Sequence, residues 1–178
     1  MQVLVTNRNA VQEISPHSEG LGRTVLIRIT SYSKFKPLQF HEQFEDIMHQ
    51  KFADVEDNDN FERRTRRTTS RRPILPITEH EAKEIVNFVR QHADKDCLIV
   101  HCDAGFSRSP AVALAACEIL GLTDESRRLR ELASKGIYQP NQTVFNRITE
   151  AAGLREKRQK DLEHVFGEIF IKEDDQAE

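Results

Sequence analysis

Residues His101–Ser109 read HCDAGFSRS and set a cysteine and an arginine around five intervening positions. An apolar segment precedes this run and a helix-like segment follows it. A strand, a tight loop and a helix start bring backbone amides together at one point. The unsatisfied amides and the dipole of a helix N-terminus favour an anion, and a neighbouring arginine adds a full positive charge. Cys102 is therefore expected to attack as a thiolate, without a separate base. The target such a loop suits best is phosphorus.

The same residues are expected to hold the group under attack. Amides of Asp103, Ala104, Gly105, Phe106, Ser107 and Arg108 can turn inward on phosphate oxygens, forming an anion-binding nest. Gly105 suits the unusual backbone angle such a turn needs. Arg108 offers a planar fork to two oxygens, a geometry lysine cannot supply. The Ser109 hydroxyl lies close in sequence to the sulfur and is a candidate donor that helps it leave. A leaving alkoxide or phenolate needs a proton, and the loop has no donor aimed outward. The general acid is expected on another segment: Asp54, Asp57 and Asp59 compete, and Asp54 is preferred because a strand-like stretch ending near Phe52 fixes it. His101 is read as holding the loop by hydrogen bonding to its backbone. Cys97 and Cys117 are read as small buried hydrophobes.

These groups need a scaffold. Gln2–Thr6, Thr24–Thr30 and Cys97–His101 read as strands, the last buried on both faces. Asn7–Ile14 suggests one or two helical turns, and Lys34–Phe40 a loop. Phe44–Asp54 fits a helix or a strand, with the strand preferred. Asp54–Pro73, with arginines at 63, 64, 66, 67, 71 and 72, reads as a long polar loop. Thr78–His92 carries a capping box, Thr78 with Glu81, ahead of an apolar stripe. Ser109–Leu120 is expected as a buried helix, capped by Ser109 with Pro110 at its first position. Helices are also expected at Thr123–Lys135, at Asn141–Ala152 and around Leu162–Ile169. Asn141 is a candidate helix cap and a candidate contact of the loop. The expected architecture is α/β in three layers: a mostly parallel sheet of four to five strands flanked by helices, with the signature loop between a buried strand and a helix. Residues 1–172 form one domain and 173–178 an acidic tail.

Bulk properties narrow the classes. The chain has 178 residues, 38% hydrophobic and 31% charged, with a net charge of −3. That balance argues against nucleic acid and membrane surfaces as partners. No apolar run approaches the roughly 20 residues of a membrane span, and no secretory leader is evident at the N-terminus. Three cysteines without a C-x-x-C pair argue against a disulfide framework, so a reducing cytoplasm is expected. The histidines show no metal spacing; no metal and no cofactor are expected.

The run His101–Ser109 resembles the H-C-x5-R-[ST] signature of the cysteine-dependent protein tyrosine and dual-specificity phosphatases. KFAD at Lys51–Asp54 is similar to the segment that ends in that family's general-acid aspartate. Pro140-Asn141, followed by Val144, Phe145 and Ile148, is similar to its helix after the signature. The N-terminal half resembles a bacterial and phage branch. The interval from Asp54 to Cys102 is longer than is usual in the small dual-specificity enzymes. Within the family, basic residues inside the loop go with phosphoinositide substrates, and here the five intervening residues contain no Lys or Arg. The resemblance thus implies hydrolysis of a lightly charged phosphomonoester, phosphotyrosine or phosphoserine/threonine in a phosphorylated protein, through a phosphocysteine intermediate. The alternatives are a non-catalytic phosphate-binding module and a phosphatase of lipid or RNA phosphates.

Overall fold

The structure, a computed structural model, describes residues 1–31, 34–55 and 75–154. Within them lie strands β1 (Gln2–Asn7), β2 (Thr24–Thr30), β3 (Asp46–Lys51) and β4 (Cys97–Cys102). The α-helices are α1 (Glu79–Gln91), α2 (Arg108–Leu120), α3 (Thr123–Ser134) and α4 (Gln142–Ala151). The strands form one sheet in the order β1-β4-β2-β3, with every pair parallel. The expected α/β architecture is therefore the one observed.

The two central strands explain the rest. Every residue of β2 and β4 is buried, as a parallel sheet covered on both faces requires. Side chains alternate between faces. Val25, Ile27, Ile29, Leu98 and Val100 join the cluster built with the four helices. Leu26, Cys97 and Ile99 pack on the other face, against Val11, Leu38 and Phe44. That second layer contains two short 3-10 turns, Ala10–Gln12 and His41–Gln43. Arg28 and His101 are the ionisable side chains, other than the Cys97 thiol, of the buried strands on this face, both under 5% exposed.

Local chemistry sets the helix ends. Thr78 accepts from the Glu81 amide and Glu81 accepts from the Thr78 amide, completing the expected box. Asn141 starts α4 by accepting from the Val144 amide at 2.8 Å. Helix α2 corrects the expectation: it begins at Arg108, its cap position is Ser107, and Pro110 is its third residue. The Ser109 hydroxyl cannot cap because it turns to the Cys102 sulfur. Proline is tolerated there because the first turn's amides have no intrahelical partner to lose. The ambiguous segment before Asp54 is a strand, β3, and residues 34–40 are irregular.

Asp57, Asp59, the arginines of 63–72, the expected last helix and the acidic tail lie outside the described residues. No helix among the described residues is long and apolar enough to cross a membrane.

Candidate active site

In open parallel sheets, ligand sites form beyond the carboxyl ends of the strands. The signature loop leaves that end of β4, flanked by the ends of β1 and β2. Cys102 is the last residue of β4 and is 1% exposed. Its Sγ accepts the Gly105 N–H at 3.2 Å and the Ser109 hydroxyl at 3.2 Å. The loop therefore wraps its own cysteine sulfur before α2 begins. Gly105 makes the wrap possible. Its φ is +74°, and a Cβ there would stand 2.8 Å from the Thr6 carbonyl oxygen. No L side chain meets both conditions at low cost.

Arg108 is the first residue of α2, and its side chain is only 5% exposed. Its Nη1 donates to the Phe52 carbonyl at 2.9 Å and to the Ser31 hydroxyl at 3.0 Å. Its Nη2 donates to Asp103 at 2.9 Å. Its Nε is buried and donates to no acceptor among the described residues. The guanidinium is thus held by the protein on one edge and keeps a donor for a ligand. Asp103, expected to contribute its amide, is the anchor. It accepts from Thr30 Oγ1 at 3.1 Å and the Ser31 amide at 3.3 Å, and Arg8 lies 3.6 Å away. Burial pushes its carboxyl up, but the hydrogen bond and charge of Arg108, with Thr30 and Ser31, outweigh that and hold it below the ordinary range.

Asp54 follows β3 and faces the loop. Its Oδ1 accepts from Ser107 Oγ at 2.7 Å and from Asn141 Nδ2 at 2.8 Å, and its Oδ2 lies 4.0 Å from Arg108 Nε. The hydroxyl of the α2 cap residue is thus spent on Asp54 instead of on the helix. Asn141 does both jobs expected of it, capping α4 with its side-chain oxygen and touching the loop through its backbone N–H, which donates to the Ser107 carbonyl at 3.2 Å; its side-chain nitrogen also holds Asp54.

His101 Nε2 accepts from Arg28 Nε at 3.2 Å, which leaves the ring proton on Nδ1, 3.3 Å from the Cys102 carbonyl. Burial, with the nearby Arg28 charge, pushes the imidazole down to about 4. It is a neutral strut for the loop. Burial pushes the Cys97 and Cys117 thiols up to about 12, as inert cysteines behave.

The structure thus brings together Cys102, Gly105, Arg108, Ser109 and Asp54, with Asp103 and Ser107 in side-chain roles. Ala104 and Phe106 sit in the loop, and the Phe106 carbonyl accepts the Gln139 amide at 2.9 Å. Sequence reasoning missed Arg8, Arg28 and Ser31, which lie 72 or more residues from the loop groups they touch. No group of His, Cys, Asp and Glu among the described residues is arranged to hold a metal.

No family model matches the sequence, and no curated protein matches it. Solved structures do. DUSP15 aligns with a TM-score of 0.53 at 18% identity, over 93% of this chain and 90% of that one. PTPMT1 in complex with PI(5)P aligns at 0.51 and 14% identity, over 85% and 90%. A human tyrosine phosphatase-like serine/threonine/tyrosine-interacting protein aligns at 0.50 and 18% identity, over 85% and 91%. At these identities the likeness is one of fold. The chain has the α/β fold of the dual-specificity phosphatases, and its Cys102–Arg108 loop occupies the carboxyl edge of that sheet.

Proposed function

We propose that this protein hydrolyses phosphomonoesters, those of phosphorylated proteins above all, through a phosphocysteine intermediate. The observation that carries the reading is one loop whose sulfur accepts a backbone N–H and a serine hydroxyl and whose buried arginine stands 4.0 Å from a held aspartate. Cys102 Sγ forms the bond to phosphorus as the ester P–O bond breaks. Arg108 Nε and the loop amides meet charge on the equatorial oxygens, donors set in place before it develops. Asp54 delivers its proton from Oδ2 to the leaving oxygen. Water then attacks the thiophosphate, Asp54 takes the water's proton, and the sulfur leaves with help from the Ser109 hydroxyl. Inorganic phosphate and the starting enzyme result.

The test is release of p-nitrophenol from p-nitrophenyl phosphate. Cys102→Ser abolishes turnover while vanadate still binds, and Asp54→Asn lowers kcat by about 10²–10⁴. Turnover that survives Cys102→Ser removes the mechanism, and an unchanged rate in Asp54→Asn moves the acid to Asp57. A second reading, a phosphate-binding module without turnover, draws on the phosphatase-like interacting protein among the structural neighbours. Tight vanadate binding with no phosphate released decides for it.

A further inference from the structure

The signature loop contributes one cation, Arg108, and spends one acid, Asp103, on it. The family resemblance of the loop implies a lightly charged substrate. The fold changes that balance. Parallel strands deliver the residues after β1, β2 and β3 to the rim that carries the loop. Segments 7–9, 28–31, 34–36, 51–54 and 103–108 hold six cations and two carboxylates, in a chain whose net charge is −3. Both carboxylates, Asp54 and Asp103, are already hydrogen-bonded within the site.

The cations are tied to one another. Arg8 stands 3.6 Å from Asp103, which itself is 2.9 Å from Arg108, so only a carboxylate separates the two guanidinium groups. Arg8 Nη2 donates to the Lys34 carbonyl at 2.7 Å. Lys36 Nζ reaches Asn9 Oδ1 at 3.3 Å, and its carbonyl accepts from Arg28 at 2.6 Å. Lys51 and Arg28 both lie over the Phe35 ring, 5.8 and 5.2 Å from its centre. Lys34, Lys36 and Lys51 are exposed. This is a positive shelf beside the Asp103 end of the loop. The other end is apolar. Phe106 is 41% exposed and Ile137 is 52% exposed, and the Gln139 amide pins the Ile137 segment to the Phe106 carbonyl.

We propose that the phosphorylated residue is presented on a peptide with an acidic flank over Arg8, Lys34 and Lys36 and an apolar residue over Phe106 and Ile137. The inference rests on the phosphatase reading and names its substrate class. A peptide fits both ends of the mouth. A sugar-phosphate headgroup, covered in hydroxyls, leaves the apolar end unused. Exposed charge pairs are individually weak, so the preference is a sum over several and is screened by salt.

The experiment measures kcat/KM for four synthetic phosphotyrosine peptides, with acidic or neutral residues on one side and leucine or glycine on the other. The acidic–leucine peptide leads, by about tenfold over the neutral–leucine one at low salt, and the gap narrows at high salt. Lys34→Gln/Lys36→Gln shrinks the acidic-to-neutral ratio, and Ile137→Ser shrinks the leucine-to-glycine ratio. Ratios within one variant cancel any general loss of folded enzyme. Equal rates for all four peptides overturn the proposal while leaving the phosphatase reading intact. So does faster hydrolysis of a soluble inositol bisphosphate than of the acidic–leucine peptide. Failure to release phosphate from every peptide and from p-nitrophenyl phosphate overturns both.

Discussion

Strands β2 and β4 carry an arginine–aspartate cluster at each end, and the two clusters behave differently. Where these strands begin, Arg23 pairs with Asp94 and Asp96, and the side chains are about half exposed. Where they end, Arg108 pairs with Asp103, and the arginine is 5% exposed. Each cluster has its own left-handed glycine. Gly22 (φ +68°) lets the chain pass Asp96, and Gly105 (φ +74°) lets it pass Thr6. The Arg23 cluster ties the segment before β2 to the turn before β4, its guanidinium bonded to Asp94 and Asp96. The Arg108 cluster keeps a buried N–H without an acceptor among the described residues. The same residue types make a latch where water covers them and, on the proposed function, a ligand cradle where the fold excludes it.

The widest separation between the two ends is kinetic. Arg108→Lys keeps the charge but loses the planar fork, and kcat/KM with p-nitrophenyl phosphate falls by about 10²–10³. Arg23→Lys leaves that rate unchanged and moves the urea midpoint little, because exposed pairs contribute little. Comparable rate losses in the two variants would erase the distinction.

Titration separates the ends next. Native His101 stays neutral down to about pH 4, whereas the unfolded imidazole takes up a proton near 6.5. Between those values the unfolded chain binds more protons, so stability falls as pH drops through the window, by up to about 3 kcal/mol. At the other end, the Lys95 hydrogen bond lowers Asp94, and the Arg23 amide lowers Asp96. Their contribution is present above the ordinary carboxyl range and is lost only as pH falls below it. Urea unfolding at pH 7 and pH 4.5 measures the difference. His101→Asn has the shallower loss of stability, and an unchanged pH slope in that variant sinks the assignment of a neutral, buried imidazole.

The glycines give the smallest contrast. Alanine at either position takes on a left-handed backbone that costs about 1–2 kcal/mol. Gly105→Ala also loses activity, since the Thr6 backbone cannot retreat without dragging β1 and the loop. Gly22→Ala loses stability and keeps activity. The check is the pair of unfolding curves beside the pair of rates.

Cys102, Arg108 and Gly105 are legible in the sequence because one unbroken stretch of nine residues, His101–Ser109, contains them. The strands Thr24–Thr30 and Cys97–His101 are legible because burial on both faces favours a run that is mostly apolar or β-branched. Asp54 is legible only as a competitor, since an acid supplied by another segment has no fixed spacing from the cysteine. Arg8, Arg28 and Ser31 are illegible. Their partners are set by parallel register, which pairs Thr6 with His101 and Arg28 with His101 across different strands, and no periodicity along the chain encodes it. The start of α2 is misread for a related reason. Ser109 has the composition of a cap, but the sulfur facing it claims its hydroxyl.

The Asn141 side chain joins two otherwise separate affairs. Its oxygen fastens the first turn of α4, and its nitrogen fastens Asp54. Helix α4 in turn packs on α1 and α2, behind the sheet. The carboxyl group therefore inherits its coordinates from apolar packing remote from any ligand. A methylene misplaced between α1 and α4 is transmitted through one primary amide, and the Asp54 carboxyl lands off target.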